Sequence, residues 1–230
     1  MIQLSNTSVD DLQDFTRESY SQILNETTSF EDAAQRWTRL LFASFQEQDG
    51  SPTFALVRIF RISKYEDLLP ELQQLADGDS TYWMTLMGTY GIESAWQDRH
   101  QSMGHKVFPA LSSATPMLKA AFAEIEHLQG FDGKDEIQLS MGQGSTGESF
   151  FFVDDAKGSP HIPAQDQFVQ PYGIRNVIGF GSQFLNKRGA LILSFSRGNI
   201  SREQAGQYAS IAPFVTTSLA RFEEERLWTE

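Results

Sequence analysis

The 230-residue chain has no cysteine at all. That excludes disulfide frameworks, thiolate metal sites, cysteine nucleophiles and any covalent thioether link to a bilin or haem. Positive charge is scarce, with 18 Lys plus Arg against 30 Asp plus Glu, a formal net charge of −12. Indiscriminate binding to a phosphate backbone is disfavoured by that balance, and no nucleic-acid partner is expected. Long apolar runs are missing too. Ala190 to Leu193 is typical of the longest, far below the ~20 residues of a membrane helix, and the amino end has no basic segment leading into an apolar one. A cytoplasmic protein with no membrane insertion is expected. The 4 histidines, His100, His105, His127 and His161, show no metal-binding spacing, so no metal is assigned.

What is present suits a substantial core. At 40% hydrophobic residues, with 18 Phe, a chain of this length buries roughly 70% of its unfolded surface. No linker or repeat divides it, and a single domain is expected over residues 1–230. Its parts would be N-terminal helices over 1–48, a sheet core with covering loops over 50–198, and a C-terminal helix over 200–230.

Ser8 precedes Val9, Leu12, Phe15, Tyr20 and Ile23, an amphipathic helical pattern with Asp10, Asp11 and Asp14 in its opening turns. Ser29 precedes a second, lined by Phe30, Ala33, Ala34, Trp37, Leu40, Leu41 and Phe45 and stopped by Asp49-Gly50. The period then changes. Phe54 to Ile62 alternates as a half-buried strand interrupted by Arg58 and Arg61, and Thr81 to Thr89, rich in Tyr, Trp and Thr, reads as a second strand. Residues 90–113 mix turn formers, with only Lys106-Val107-Phe108 extended. Met117 to Leu128 is helical, Ser149 to Val153 is an interior strand, and a short helix carrying Phe168 follows Pro163. Arg175 to Leu185 and Gly189 to Arg197 form a hairpin through Asn186-Lys187-Arg188. A closing helix starts at Ser201 with Gln204 completing a capping box, and Pro213 predicts a kink in it. Tyr208, Val215 and Phe222 recur every seven residues, a seam suited to a partner helix. Grouped strands without helical crossovers predict an α+β fold with an antiparallel sheet of about five or six strands.

Gly142 to Gly147 matches a dinucleotide-binding glycine pattern, but the strand-like Phe150-Phe151-Phe152 follows where a helix is needed, so the stretch is read as a loop. The charge distribution is more informative. From Gln167 to Ile200 there is no carboxylate, while Arg175, Lys187, Arg188 and Arg197 form a basic stretch able to receive an anion. Arg175 enters an apolar strand, where, if buried, it needs either a structural carboxylate or a ligand. Trp96-Gln97-Asp98-Arg99-His100 with Gly104-His105 combines a stacking face with planar donors, a mixture that lines pockets and also anchors loops.

From Phe150 onward the elements Gly158-Ser159-Pro160, Ile162-Pro163-Ala164-Gln165, Phe168-Val169, Pro171-Tyr172-Gly173-Ile174-Arg175, Val177-Ile178-Gly179-Phe180-Gly181 and Leu191 to Arg197 follow in order. This string resembles the GAF-like N-terminal sensory input region of bacterial sensor and hybrid histidine kinases. Leu86-Met87-Gly88-Thr89, Trp96 to Arg99, Ser102 and Gly104-His105 are similar to that family's middle portion. The likeness spans roughly residues 50 to 222 and is weakest between Leu118 and Glu148. No phosphoacceptor helix or ATP-binding box occurs, so kinase activity is not implied.

The resemblance implies a ligand cavity between the sheet and the segments 92–113 and 156–173, a dimer bundle of terminal helices, and a non-catalytic sensory role in signal transduction. Trp96, Arg99, His105, Phe168, Tyr172 and Arg175 are its candidate ligand-binding residues. Aromatics would enclose a small molecule and cations would hold an anionic or carbonyl group. The ligand, any cofactor and any signalling partner protein stay unidentified. The alternatives are an interaction adaptor docking through the acidic N-terminal half, and an enzyme on a GAF-like scaffold.

Overall fold

A computed structural model describes residues 1–4, 6–77, 80–102, 104, 106–110, 117, 150–184, 188–223 and 226–229. His105, all of the expected helix beyond Met117, the glycine pattern at 142–147 and the turn residue Lys187 lie outside these.

Helices α1 (Val9–Glu26) and α2 (Phe30–Ser44) begin where the sequence places them. Ser8 and Asp11 form a reciprocal capping box, and the Ser29 hydroxyl accepts from the Asp32 amide. Strands β1 (Phe54–Lys64), β2 (Tyr82–Gly91), β3 (Val107–Pro109), β4 (Phe150–Val153), β5 (Asn176–Gln183) and β6 (Gly189–Ser196) follow. They form one antiparallel six-stranded sheet in the order β3-β2-β1-β6-β5-β4, the α+β arrangement expected from the grouped strands.

The end of the chain departs from expectation. Instead of one kinked helix there are two, α3 (Arg202–Ala209) and α4 (Ala212–Ala220). Pro213 lies in the first turn of α4, where its missing N–H interrupts no helical bond, so the proline starts a helix rather than bending one.

Alternation along the strands gives the sheet two apolar faces. Phe54, Val57, Ile59, Ile178, Phe180 and Ile192 point into a core closed by the four helices. Here Tyr208 packs on Phe45, Phe54 and Phe180 at ring separations of 5.0 to 5.6 Å and shares a hydrogen bond with Ser194 at 2.9 Å. Burial pushes its phenol well above the ordinary range. Tyr208 and Val215 are fully buried and Phe222 is 4% exposed in the single chain. The heptad seam is thus spent on this protomer's own sheet and helices, not on a partner helix. Its period reports an inward-facing stripe, which a coiled-coil seam and a core helix share.

Gly88 sets how closely the helical layer approaches. A Cβ there would come well under 3.0 Å from the Ala34 carbonyl, so α2 lies directly on the β2 backbone. Leu56, Phe60, Ile62, Met84, Leu86, Leu191, Leu193, Phe195, Val177, Phe151 and Val153 face the other way, into a second core covered by loops.

Candidate functional site

The loop-covered face is roofed by two segments. The first is the turn Ser94–Trp96 just beyond β2; the second is Gln165–Val169 running into Gln170–Tyr172, the helix expected after Pro163. One side chain organises the second segment. Gln165 donates to the Ala156 and Ile162 carbonyls at 3.0 and 2.7 Å and accepts from the Gly158 amide at 2.8 Å. That ties the Gly158-Ser159-Pro160 and Ile162 to Gln165 stretches into one unit.

Three of the candidate residues meet there. Trp96 lies 4.5 Å from Tyr172 and 5.7 Å from Phe168 between ring centroids, and Phe168 stands edge-on to Phe195 of β6 at 5.0 Å. Gly91 makes room for this lid, because a Cβ there would sit 2.8 Å from the Trp96 ring. The trio therefore clasps the two covering segments together over the sheet, each ring only partly buried.

Beneath the same face lies a residue that the motifs did not single out as a ligand contact. On β1, Arg58 alternates with Leu56 and Phe60 of the second core and opposes Thr89 of β2 and Leu193 of β6. Its Nη2 donates to Ser102 Oγ at 3.3 Å, and Ser102 is 1% exposed. Burial pulls the guanidinium down to about 10. Thr89, fully buried, has a hydroxyl without a hydrogen-bond partner among the described residues. A desolvated cation with hydroxyls beside it is suited to a carboxylate, phosphate or polarised carbonyl. The signal was in the sequence: an arginine inside a strand otherwise made of Phe, Leu, Val and Ile.

Arg99 is placed elsewhere, and this corrects its assignment to the pocket. Its Nε donates to Glu31 Oε1 at the start of α2, and its guanidinium stacks 4.8 Å from the Trp228 ring. The same carboxylate lies 3.1 Å from His100 Nε2 and accepts from the Thr229 amide at 3.0 Å. The Phe30 and Glu31 amides donate to the Arg226 and Leu227 carbonyls at 2.9 and 3.0 Å. The C-terminal segment thereby satisfies amides that the first turn of a helix leaves orphaned. Burial pushes Glu31 up, but Arg99, the Thr229 amide and His100 together outweigh it and hold the carboxyl below its ordinary value.

Arg175 is also apart from the aromatic lid. It is exposed at the open end of the β5–β6 hairpin, where it lines a groove together with Arg197, and among the described residues it forms no salt bridge. Nor does the basic stretch act as one wall. Arg188 sits at the opposite end and forms two hydrogen bonds to Asp67, at 2.8 and 2.6 Å. Glu223, 3% exposed, links Arg188 at 3.5 Å to Arg61, whose Nε and Nη2 hold its carboxylate at 2.7 to 3.1 Å. Burial raises the Glu223 carboxyl, Arg61 and Arg188 offsetting part of that effect. This network joins β1, the turn after it, the hairpin and the end of α4, so Arg188 is structural.

Among the described residues no three His, Asp or Glu side chains are grouped to hold a metal ion, and no helix is long and apolar enough to cross a membrane.

A six-stranded antiparallel sheet with helices on one face and a loop-covered second face defines a GAF-like fold. The GAF domain of an Acinetobacter phosphoenolpyruvate-protein phosphotransferase is similar at 11% identity, over 94% of this chain and 96% of that one, with a TM-score of 0.52. The corresponding domain from Coxiella burnetii is 12% identical, over 94% and 95% of the two chains, with a TM-score of 0.51. No protein-family model and no curated protein sequence matches the chain.

Proposed function

We propose that this is a non-catalytic sensory domain of bacterial signal transduction, whose loop-covered face binds a small molecule bearing an anionic or carbonyl group. The observation that carries the reading is Arg58, a desolvated guanidinium flanked by Ser102 and Thr89 on that face. Trp96, Phe168 and Tyr172 supply the enclosing surface from the two covering segments. A GAF-like fold supports the sensory class by analogy alone.

The route outward runs through one loop. Trp96 belongs to the lid, Ser102 touches Arg58, and between them Arg99 and His100 grip Glu31 beside the C-terminal segment. A ligand that shifts Ser102 or Trp96 changes the strain on that grip, and thus the docking of residues 226–229. The homodimer implied by the resemblance belongs to this proposal, formed through surfaces other than the Tyr208 seam.

Native mass spectrometry of the chain purified from its own host's lysate tests the reading. Wild-type protein is expected to carry a small-molecule adduct that Arg58→Met, checked for folding by circular dichroism, does not. An adduct retained equally by the folded variant removes Arg58 from the site; a bare mass from the wild type contradicts the sensory reading.

A further inference from the structure

A separate groove of about 510 Å³ lies outside the aromatic lid, between the loop joining α2 to β1 and the open end of the β5–β6 hairpin. One wall carries Arg175 and Arg197. They flank the last pair of the β5–β6 ladder, Asn176 with Ser196, and the Arg175 amide donates to the Ser196 carbonyl at 2.7 Å, so two like charges border the same end of the sheet. The other wall carries Glu47 and Asp49. Two cations and two anions thus border one groove, yet among the described residues none of the four possible ion pairs closes to 4.0 Å; the Ser51 amide and hydroxyl donate to one oxygen of Asp49 at 2.9 and 2.6 Å. On its other flank Arg175 borders a second groove of about 610 Å³ with Asp155 and Lys157, and among the described residues no ion pair closes there either.

The floor is also unfinished. Thr53, 2% exposed, lines the groove, and its buried hydroxyl has no hydrogen-bond partner among the described residues. Its carbonyl is already taken by the Arg197 amide at 2.8 Å and the Ser196 hydroxyl at 3.2 Å, so the free group is the side chain alone. A buried hydroxyl left in this state costs stability unless something completes it.

We infer that this groove binds a free amino acid as its zwitterion, the α-carboxylate toward Arg175 and Arg197 and the α-ammonium toward Glu47 and Asp49. A simple anion such as phosphate is a poorer match, because the two carboxylates repel it as the arginines attract it. A zwitterion satisfies both walls at once and leaves the net charge of the site unchanged. Thr53 supplies a hydroxyl that either donates to the carboxylate or accepts from the ammonium. The inference stands apart from the Arg58 face: either site can fail without the other.

Calorimetric titration with the free L-amino acids, their Nα-acetyl and carboxamide counterparts, and inorganic phosphate tests it. At least one free amino acid is expected to bind with a Kd of about 1 mM or tighter. Each single-charge counterpart, and each of the variants Arg175→Gln/Arg197→Gln and Glu47→Gln, is expected to bind at least about tenfold more weakly. Arg17→Gln, an exposed change on α1 outside both sites, is expected to bind as the wild type does. No binding of any amino acid at about 10 mM overturns the inference. So does equal binding of phosphate or of a single-charge counterpart, or an equal loss of binding in folded Arg17→Gln.

Discussion

Two arginines three positions apart on β1 serve opposite faces of the sheet. Arg58 goes to the loop-covered side and Arg61 to the helical side, where it meets Glu223. Removing one partner of the buried Arg61–Glu223 pair leaves an uncompensated charge, so Arg61→Met should cost about 3–5 kcal/mol in urea unfolding, while Arg61→Met/Glu223→Leu should regain most of it. An undiminished loss in the double variant would show that packing, not charge, is at stake. Glu31 carries the opposite sign of perturbation. Its folded pKa lies below the ordinary 4.5, so its contribution to stability is present above that pH and is lost as pH falls through the folded value. Glu31→Gln should cost about 1–3 kcal/mol at neutral pH and flatten this part of the acid dependence, measured by denaturant midpoints between pH 7 and pH 3. At this scale the sequence was only partly legible. Both arginines announce themselves by breaking an apolar run, but their partners lie at Ser102 and Glu223, distant positions that spacing along β1 cannot reveal. Arg99 was grouped with Trp96 because the two are neighbours in sequence; the turn after Trp96 sends them to different faces.

Elements were easier to read, since capping residues and hydrophobic period act locally. Ser8, Ser29 and Ser201 each cap the helix expected after them. The glycines show where local rules end. Gly88 sits inside a strand because α2 leaves no space for a methyl group, a tertiary constraint that nothing in the surrounding residues encodes. Gly88→Ala must separate α2 from β2, and a loss of about 2 kcal/mol or more in thermal unfolding is expected. Pro213 gives the converse case. Because it begins α4, Pro213→Ala should change stability by no more than about 1 kcal/mol; a large gain would indicate that the proline strains a continuous helix after all.

For the whole molecule, the order of helices and strands along the chain predicted an antiparallel α+β sheet, because a parallel sheet needs helical crossovers between most strands. The sheet's two cores could not be assigned from pattern, since its central strands are buried on both faces and alternation disappears. The seam at Tyr208, Val215 and Phe222 failed for a related reason: a seven-residue repeat marks burial without naming what covers it. Val215→Ala should therefore destabilise the fold by about 1–3 kcal/mol without altering oligomeric state in light scattering. The two ends of the molecule are connected through the loop from Trp96 to Ser102, which meets both the lid and the C-terminal segment.

Under the proposed function, a ligand on the loop-covered face acts through that loop on the C-terminal segment. Fluorine NMR of protein labelled with 5-fluorotryptophan reports on it directly, since the 4 tryptophans include Trp96 in the lid, Trp228 at the C-terminal segment and the fully buried Trp37 in the helical core. Adding small-molecule extract from the host should move the Trp96 and Trp228 resonances and leave Trp37 in place. Unmoved Trp96 and Trp228 signals, or a shift confined to Trp37, would contradict the account.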